Sequence, residues 1–200
     1  MHKFFDLTLG ELLEENVTKY PNREVLVYSD RNLRYTYAEF NERVNNVAKG
    51  FLALGIKKGD HIGIWATNVP DWLVVLFAAA KIGAVLVTIN TNYRSSEIDY
   101  ILRQSDCNLL CIIDQFKDID YVKTIYEVVP ELRTTPRGYL KSERYPHLKH
   151  VVYLGPEKHR GMYSINEVTA LACTVEDPEL QKISSSIDCH DVVNMQYTSG

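Results

Sequence analysis

Hydrophobic positions along the chain follow two alternating periods. Short apolar or β-branched runs have the length and composition of buried strands, and longer segments with helical spacing separate them. The predicted strands cover residues 25–28, 61–65, 84–89, 109–113, 151–154 and 192–197. Strands that alternate with helices in this way predict an α/β fold, with a largely parallel sheet flanked by helices on both faces.

Three predicted helices begin with the same local signature. Thr8, Thr36 and Ser164 are each followed three residues later by a glutamate. In such a capping box the hydroxyl accepts a backbone N–H and the glutamate reaches back to the cap residue. The helix after Thr36 is predicted to reach Leu54, because apolar residues recur at spacings of four and three, and Gly55 is placed to end it. Further helices are predicted over residues 70–82 and 95–104.

Two segments depart from this alternation. Residues 134–160 are rich in Lys, Arg, Tyr, Pro and His, which predicts a surface excursion around the strand at 151–154 and the region most expected to be flexible. Residues 176–186 are polar and contain a serine run, which favours a surface connector. Neither resembles an interdomain linker, so residues 1–200 are predicted to form one domain or subdomain.

Composition excludes several functional classes. The chain has 200 residues, is 46% hydrophobic and carries a formal net charge of -4. A clustered basic excess is absent, so nucleic-acid binding is not expected. The most apolar stretch, residues 72–80, is shorter than the ~20 residues of a membrane span. The start of the chain lacks the apolar core of a secretory signal, so a cytoplasmic protein without an integral membrane segment is expected.

The four cysteines give no metal-binding pattern. Cys107, Cys111, Cys173 and Cys189 lack the paired spacing of a zinc site. We expect reduced thiols and no metal ligand among them.

The end of the chain carries the candidate chemistry. The predicted strand at 192–197 delivers Thr198, Ser199 and Gly200 to the carboxyl edge of the sheet, where open parallel sheets bind ligands. Hydroxyls and exposed backbone N–H groups suit phosphate oxygens. Taken alone, however, Thr-Ser-Gly after a strand is more typical of an ordinary turn.

Several motifs together resemble one enzyme family. The tetrapeptide Tyr197-Thr198-Ser199-Gly200 is similar to the opening of the Ser/Thr/Gly-rich loop of the adenylate-forming, or AMP-binding, superfamily, and Asp191 fits that family's usual aspartate. Further segments in the family's order are residues 33–40, 59–60, 80–90 and Glu97. Residues 63–72, 90–94 and 137–146 resemble the fatty acyl-CoA synthetases within it. One departure is Ile82, where many relatives have alanine, and this position concerns packing rather than chemistry.

This resemblance implies an ATP-dependent fatty acid–CoA ligase of which the chain is the amino-terminal part. Such an enzyme forms an acyl-adenylate and then an acyl-CoA thioester, using a fatty acid, ATP with Mg²⁺, and coenzyme A. Thr198 and Ser199 would donate to the β- and γ-phosphates, and Gly200 would allow close backbone approach. The loop lysine, the metal-binding acid and most of the acyl pocket would lie beyond Gly200. No catalytic residue is therefore assigned, and the chain alone is expected to be inactive.

Two other functions stay open from the residues. A stand-alone nucleotide-binding or regulatory α/β module would also end a strand in a Thr-Ser-Gly turn. A non-catalytic interaction protein would use an exposed apolar surface, and the chain would then self-associate. Arg94 is predicted to be a solvated loop arginine, with a coenzyme A phosphate contact as the alternative. Trp65 and Trp72 are predicted to pack as core aromatics.

Overall fold

Ten strands and seven α-helices follow one another along the chain in the computed structural model, which describes residues 6–197. The strands are β1 (Glu24–Tyr28), β2 (Leu33–Thr36), β3 (His61–Trp65), β4 (Val85–Thr88), β5 (Cys107–Ile112), β6 (Gln115–Phe116), β7 (Ile119–Asp120), β8 (His150–Tyr153), β9 (Tyr163–Ser164) and β10 (Asn194–Gln196). The helices are α1 (Leu9–Lys19), α2 (Tyr37–Ala53), α3 (Pro70–Lys81), α4 (Ser95–Gln104), α5 (Tyr121–Val128), α6 (Ile165–Ala170) and α7 (Asp177–Ser184).

Six of the strands form a parallel sheet in the order β10-β4-β3-β5-β8-β9. Helix α3 leads from β3 to β4 in one direction, whereas α4 leads from β4 back past β3 to β5. Because such crossovers are right-handed, opposite directions place α3 and α4 on opposite faces of the sheet. Helices α1 and α2 pack with α3, and α5 packs with α4. The predicted α/β class and parallel sheet are confirmed.

Local signals set the helix ends as predicted. All three capping boxes form, and in the first of them Glu11 N–H donates to Thr8 Oγ1 (3.1 Å) while Thr8 N–H donates to Glu11 Oε2 (2.8 Å). Helix α2 ends in a Schellman motif, because Gly55 N–H donates to Leu52 O (2.8 Å) and Ile56 N–H donates to Phe51 O (3.0 Å). Gly55 has φ +84°, a conformation that favours glycine.

The first predicted strand is not part of the parallel sheet. Residues 25–28 fall in β1, which pairs antiparallel with β2 in a separate hairpin. The placement of residues 25–28 in the parallel sheet was therefore wrong, and β2 was missed. The reason is the short connection through the 3₁₀ turn Ser29–Arg31 and Asn32, because a parallel crossover needs a dozen or more residues.

The two irregular segments are more ordered than predicted. Within 134–160, Leu140, Tyr145 and Leu148 are buried, so this surface excursion is anchored to the domain. Tyr145 OH donates to Asp99 on α4, which holds the excursion against that helix. The predicted connector at 176–186 contains α7, whose Leu180 is buried. In both segments a few apolar residues pack against the core, and the largely polar composition of the segments does not indicate this packing.

Burial places the cysteines in two groups. Cys107 and Cys111 are buried in β5, whereas Cys173 and Cys189 are exposed, and all four thiols are free. Burial raises the pKa of the Cys107 thiol to about 12. No helix within residues 6–197 combines the length and the apolar character that crossing a bilayer requires.

Candidate functional site

The carboxyl edge of the sheet has its change of connection direction between β3 and β5. The chain leaves β3 towards β4 through α3 on one face, and leaves β5 towards β8 through α5 on the other. Adjacent strands whose connections diverge in this way leave space between their loops, which is where open α/β sheets bind ligands. The loop after β4, residues 89–94, is bonded to Trp65 at the end of β3 and to Tyr121 at the start of α5, so it borders the candidate site.

An aromatic stack holds this loop in place. The Trp65 indole lies on the Tyr121 ring, with ring centroids 3.5 Å apart and planes 8° from parallel. Trp65 Nε1–H donates to Asn90 O (3.1 Å), and Tyr121 OH donates to Thr91 O (2.6 Å). Burial raises the pKa of Tyr121 to about 12, so its phenol stays a donor at neutral pH. The predicted core packing of Trp65 is confirmed, whereas Trp72 is only half-buried.

The β6–β7 hairpin braces the outer side of the same loop. Lys117 Nζ donates to Asn92 Oδ1 (3.1 Å), and the Arg94 guanidinium pairs with Asp118 (2.6 Å). The Arg94 side chain is 62% exposed, as predicted for a loop arginine. Its alternative contact with a coenzyme A phosphate stays a prediction.

Strand β10 brings the end of the described chain to this edge. Gln196 lies opposite Thr88 in the parallel register, so Tyr197 comes next to the start of the loop after β4. An open cleft of about 360 Å³ is lined by Tyr93, Ser96, Glu97, Tyr100, Ile101 and Tyr197. Thr198, Ser199 and Gly200 directly follow Tyr197 and lie outside the described residues. Their role in holding phosphate stays a prediction.

The charge of this cleft bears on which ligand group it accepts. None of the described lining residues is cationic, and Glu97 is the one carboxylate among them. Glu97 Oε2 accepts from Arg94 N–H (3.0 Å) and Ser96 OH (3.1 Å), and the backbone donation from Arg94 holds the pKa of Glu97 below its usual value. An ionised carboxylate repels the like charge of a triphosphate. The described residues of this cleft therefore supply no positive charge, and no step is assigned to a metal ion.

The family assignment rests on the sequence as a whole. The family model described as AMP-binding enzyme matches residues 13–200. The chain belongs to the AMP-binding enzyme family.

Two similar proteins are named as an acyl-CoA synthetase and an acyl-CoA ligase. The chain is 48% identical over 200 residues to YngI of Bacillus subtilis (strain 168), a provisionally named acyl-CoA synthetase, and covers 36% of it. It is 33% identical over 199 residues to the mitochondrial medium-chain acyl-CoA ligase ACSF2 of Danio rerio, and covers 33% of that protein. The AMP-binding chain thus spans about a third of the length of these curated relatives.

Solved structures confirm the fold independently. A long-chain-fatty-acid-CoA ligase, FadD1, from Archaeoglobus fulgidus superimposes with a TM-score of 0.74 at 20% identity, over 98% of this chain and 35% of that one. The N-terminal domain of FACL13 from Mycobacterium tuberculosis gives a TM-score of 0.69 at 22% identity, over 96% of this chain and 42% of that one. At these identities the likeness establishes the fold alone.

Asp191, which fits the usual aspartate of the AMP-binding family, lies away from the cleft. It precedes β10 at the amino edge of the sheet, where Lys58 Nζ donates to its carboxylate (2.6 Å) and Asp188 N–H donates to it (2.8 Å). Its local role is to close the turn that leads into β10. Asp188, Cys189 and His190 of the same turn place one possible metal-ligating atom each within 4.8 Å, and all three are exposed.

Sequence reasoning missed most of the residues that line the cleft. Tyr93 was noted only as part of the motif at 90–94, and Tyr100 only as part of a predicted helix. Tyr100 is 53% exposed, which is unusual for a large aromatic residue. The available signal was its position one turn after Ser96, on the face of α4 opposite to Ile98. That signal shows exposure, but it does not show which strand end lies nearby.

Proposed function

We propose that the chain is the amino-terminal part of an ATP-dependent fatty acid–CoA ligase. Membership of the AMP-binding family supports this, and so do the names of its acyl-CoA synthetase and ligase relatives. The observation that carries the proposal is the register of β10 on β4. It leads Tyr197 to the sheet edge beside a rigidly held loop, where the next residues would meet a ligand.

The proposed reaction has two displacement steps. A fatty acid carboxylate oxygen attacks the α-phosphorus of ATP, and pyrophosphate leaves. The thiolate sulfur of coenzyme A then attacks the acyl carbonyl carbon, and AMP leaves. Mg²⁺ would lower the charge of the nucleotide in the first step.

Within this proposal the chain's own residues have positioning roles. Thr198 and Ser199 donate hydroxyl hydrogen bonds to phosphate oxygens, and Gly200 allows the backbone to approach them. The Trp65–Tyr121 stack keeps the loop after β4 in one conformation, so the crevice is formed before a ligand binds. A loop that is already held in place loses little conformational entropy when the ligand arrives.

The decisive experiment compares the full-length gene product with residues 1–200. Both are supplied with ATP, Mg²⁺, coenzyme A and fatty acids of medium and long chain, and pyrophosphate and AMP are measured. We expect release by the full-length protein and none by residues 1–200. Absence of release from a folded full-length protein with every fatty acid would refute the ligase function.

The phosphate-binding residues can be tested in the same assay. We predict that Thr198→Ala and Ser199→Ala each lower kcat/KM of the full-length protein by about 10- to 100-fold, because a charge-assisted hydrogen bond is worth about 1.5–3 kcal/mol. Thr174→Ala is the matched control, since this exposed hydroxyl donates only to Leu171 O (2.7 Å) among the described residues. An unchanged kcat/KM in both loop variants would remove these residues from the site.

A second candidate is a stand-alone nucleotide-binding module. The register of β10 on β4 favours it, because the chain reaches the carboxyl edge of the sheet within residues 6–197. Calorimetric titration of residues 1–200 with millimolar ATP separates the two functions. The ligase proposal expects no measurable heat, whereas saturable heat from residues 1–200 alone would support the module.

A further inference from the structure

The turn between α7 and β10 gathers three different metal-ligating side chains at the amino edge of the sheet. A carboxylate oxygen of Asp188, the sulfur of Cys189 and a ring nitrogen of His190 lie within 4.8 Å of one another. Within residues 6–197 this is the one place where three such atoms come so close together. Sulfur and imidazole nitrogen suit Zn²⁺, whereas Mg²⁺ takes oxygen ligands.

Hydrogen bonds fix the backbone of this turn. His190 N–H donates to Asp188 Oδ1 (2.8 Å), and Asp191 N–H donates to Asp188 O (2.9 Å). Asp188 N–H donates in return to Asp191 Oδ2 (2.8 Å). The three ligand-bearing residues are therefore already held together, and the backbone need not become ordered when an ion binds.

Negative charge at the turn favours a cation. Lys58 Nζ donates to Asp191 Oδ2 (2.6 Å) and to Ser186 O (3.2 Å), so this lysine is paired with the neighbouring aspartate. Among the described residues, no lysine or arginine forms an ion pair with Asp188. Asp6 is a second carboxylate whose charge acts on the Cys189 thiol. A cation bound at Cys189 would therefore be attracted by two carboxylates.

The spread of the three ligand atoms suits a tetrahedral ion after small side-chain rotations. Zn²⁺ binds sulfur at about 2.3 Å and nitrogen or oxygen at about 2.0–2.2 Å, which puts neighbouring ligand atoms roughly 3.5 Å apart. The limit of 4.8 Å exceeds this separation by about 1 Å. All three side chains are exposed, so no packed neighbour prevents the rotations that bring them closer.

We propose that Asp188, Cys189 and His190 bind one Zn²⁺ ion, with water in the fourth position. The Cys189 thiol loses its proton to solvent as its sulfur binds the ion. The ion would tie together the turn that leads into β10. Because the site lies at the opposite edge of the sheet from Tyr197, it does not depend on the proposed ligase function. The spacing of the four cysteines does not indicate it, since its other ligands are the two residues that flank Cys189.

Metal titration of the full-length gene product, in reducing buffer without chelator, tests this site. Co²⁺ is the probe, because a thiolate bound to Co²⁺ gives a charge-transfer band in the near ultraviolet. We expect a saturable band, of which the part lost in Cys189→Ser corresponds to one ion per chain. Zn²⁺ should abolish that part by displacing Co²⁺, whereas millimolar Mg²⁺ should leave it unchanged.

An exposed cysteine and an exposed histidine elsewhere in the chain supply matched controls. Cys189→Ser and His190→Gln should each weaken Zn²⁺ binding by at least about tenfold, since loss of even an outer partner of a metal ligand costs about 10- to 100-fold. Cys173→Ser and His147→Gln should bind as the unaltered protein does. Because all four side chains are exposed, circular dichroism should show that all four variants are folded.

Four results would overturn the proposal. The first is the absence of a saturable band, and the second is equal Zn²⁺ affinity in Cys189→Ser and Cys173→Ser. The third is displacement of Co²⁺ by Mg²⁺, which would indicate oxygen ligands alone. The fourth is one ion for two chains, with a dimer by light scattering that forms only with metal, because the ligands would then come from two copies.

Discussion

Two hydrogen-bonded ion clusters on opposite faces of the sheet differ in which partner is buried. On one face Lys81 of α3 is 1% exposed, and its Nζ donates to Glu14 Oε1, Asn41 Oδ1 and Asn45 Oδ1, each at 2.8 Å. This Lys81 cluster joins α3 to α1 and α2.

On the other face, Asp99 of α4 is the shared acceptor. It accepts from Arg103 (3.0 Å) and Arg144 (2.7 Å) and from the Tyr145 hydroxyl. The side chain of Asp99 is 17% exposed, whereas those of Arg103 and Arg144 are 46% and 60% exposed. This Asp99 cluster joins the 134–160 excursion to α4.

This difference shows that the number of polar contacts in a cluster does not determine how much the cluster contributes to the free energy of unfolding. Each N–H of the buried Lys81 ammonium has a protein acceptor, so removal of the lysine leaves the half-buried Asn41 and Asn45 oxygens without this donor. Water can replace either arginine at Asp99, because both guanidinium groups are largely exposed. We therefore expect the Lys81 cluster to contribute more to the stability of the fold.

The largest expected effect is that of Lys81→Ala. It should lower the free energy of unfolding by about 2–3 kcal/mol, because it leaves a cavity where the buried lysine stem packs and leaves the Asn41 and Asn45 oxygens without this donor. Urea denaturation followed by circular dichroism measures this change. Lys81→Met should lose less, since it keeps the apolar stem.

The matched control for Lys81→Ala is Lys57→Ala, which alters an exposed lysine. It should change the free energy of unfolding by less than about 0.5 kcal/mol. If Lys81→Ala were as stable as this control, the comparison between the two clusters would fail.

The second effect, that of Asp99→Asn, should be smaller and dependent on pH. We expect the free energy of unfolding to fall by about 1–2 kcal/mol at neutral pH, because water can solvate the exposed arginines when the charge of Asp99 is removed. Donation from Arg144 and Tyr145 holds the pKa of Asp99 well below its usual value. The folded pKa is therefore lower than the unfolded pKa, so the stabilisation is present above about pH 4 and is lost as the pH falls below it.

Unfolding measured between about pH 3 and about pH 7 tests this dependence, because this range includes the pKa of about 3.9 that an aspartate has in the unfolded chain. The gap between the unaltered protein and Asp99→Asn should narrow as the pH falls. Asp30→Asn, at an exposed aspartate, is the control and should show no such narrowing. A constant gap would show that the Asp99 carboxylate is not stabilised by its neighbours.

The smallest effect is expected for Tyr145→Phe. It removes the buried hydroxyl that donates to Asp99, at a cost of about 1 kcal/mol or less near neutral pH. Burial, followed by the bond to Asp99, raises the pKa of Tyr145 to about 12. Because the folded pKa exceeds the unfolded value of about 10, this stabilisation is lost as the pH rises from about 10 towards 12.

The phenolate absorbance of the two proteins, followed during alkaline titration, checks this assignment. One high-pKa transition should disappear in Tyr145→Phe, while those of Tyr121 and Tyr153 remain. Persistence of every transition in the variant would contradict the raised pKa of Tyr145.

Sequence alone determined much of the local structure. Each capping box joins residues three positions apart, so its hydrogen bonds depend on neighbours that the sequence shows directly. Strands β3, β4, β5 and β8 also lay within about two residues of their predicted bounds, because buried parallel strands leave continuous apolar runs. The strand that leads to the candidate site was predicted for the same reason, although β10 is shorter.

Only the tertiary structure decided which of these elements meet. The period of residues 25–28 is that of any strand, and it does not specify a hairpin partner. The Trp65–Tyr121 stack, the Lys81 cluster and the tyrosines around the cleft join residues that are far apart in the chain. Such contacts depend on how whole helices and strands pack, and their free energy comes from burial that no local pattern of residues records.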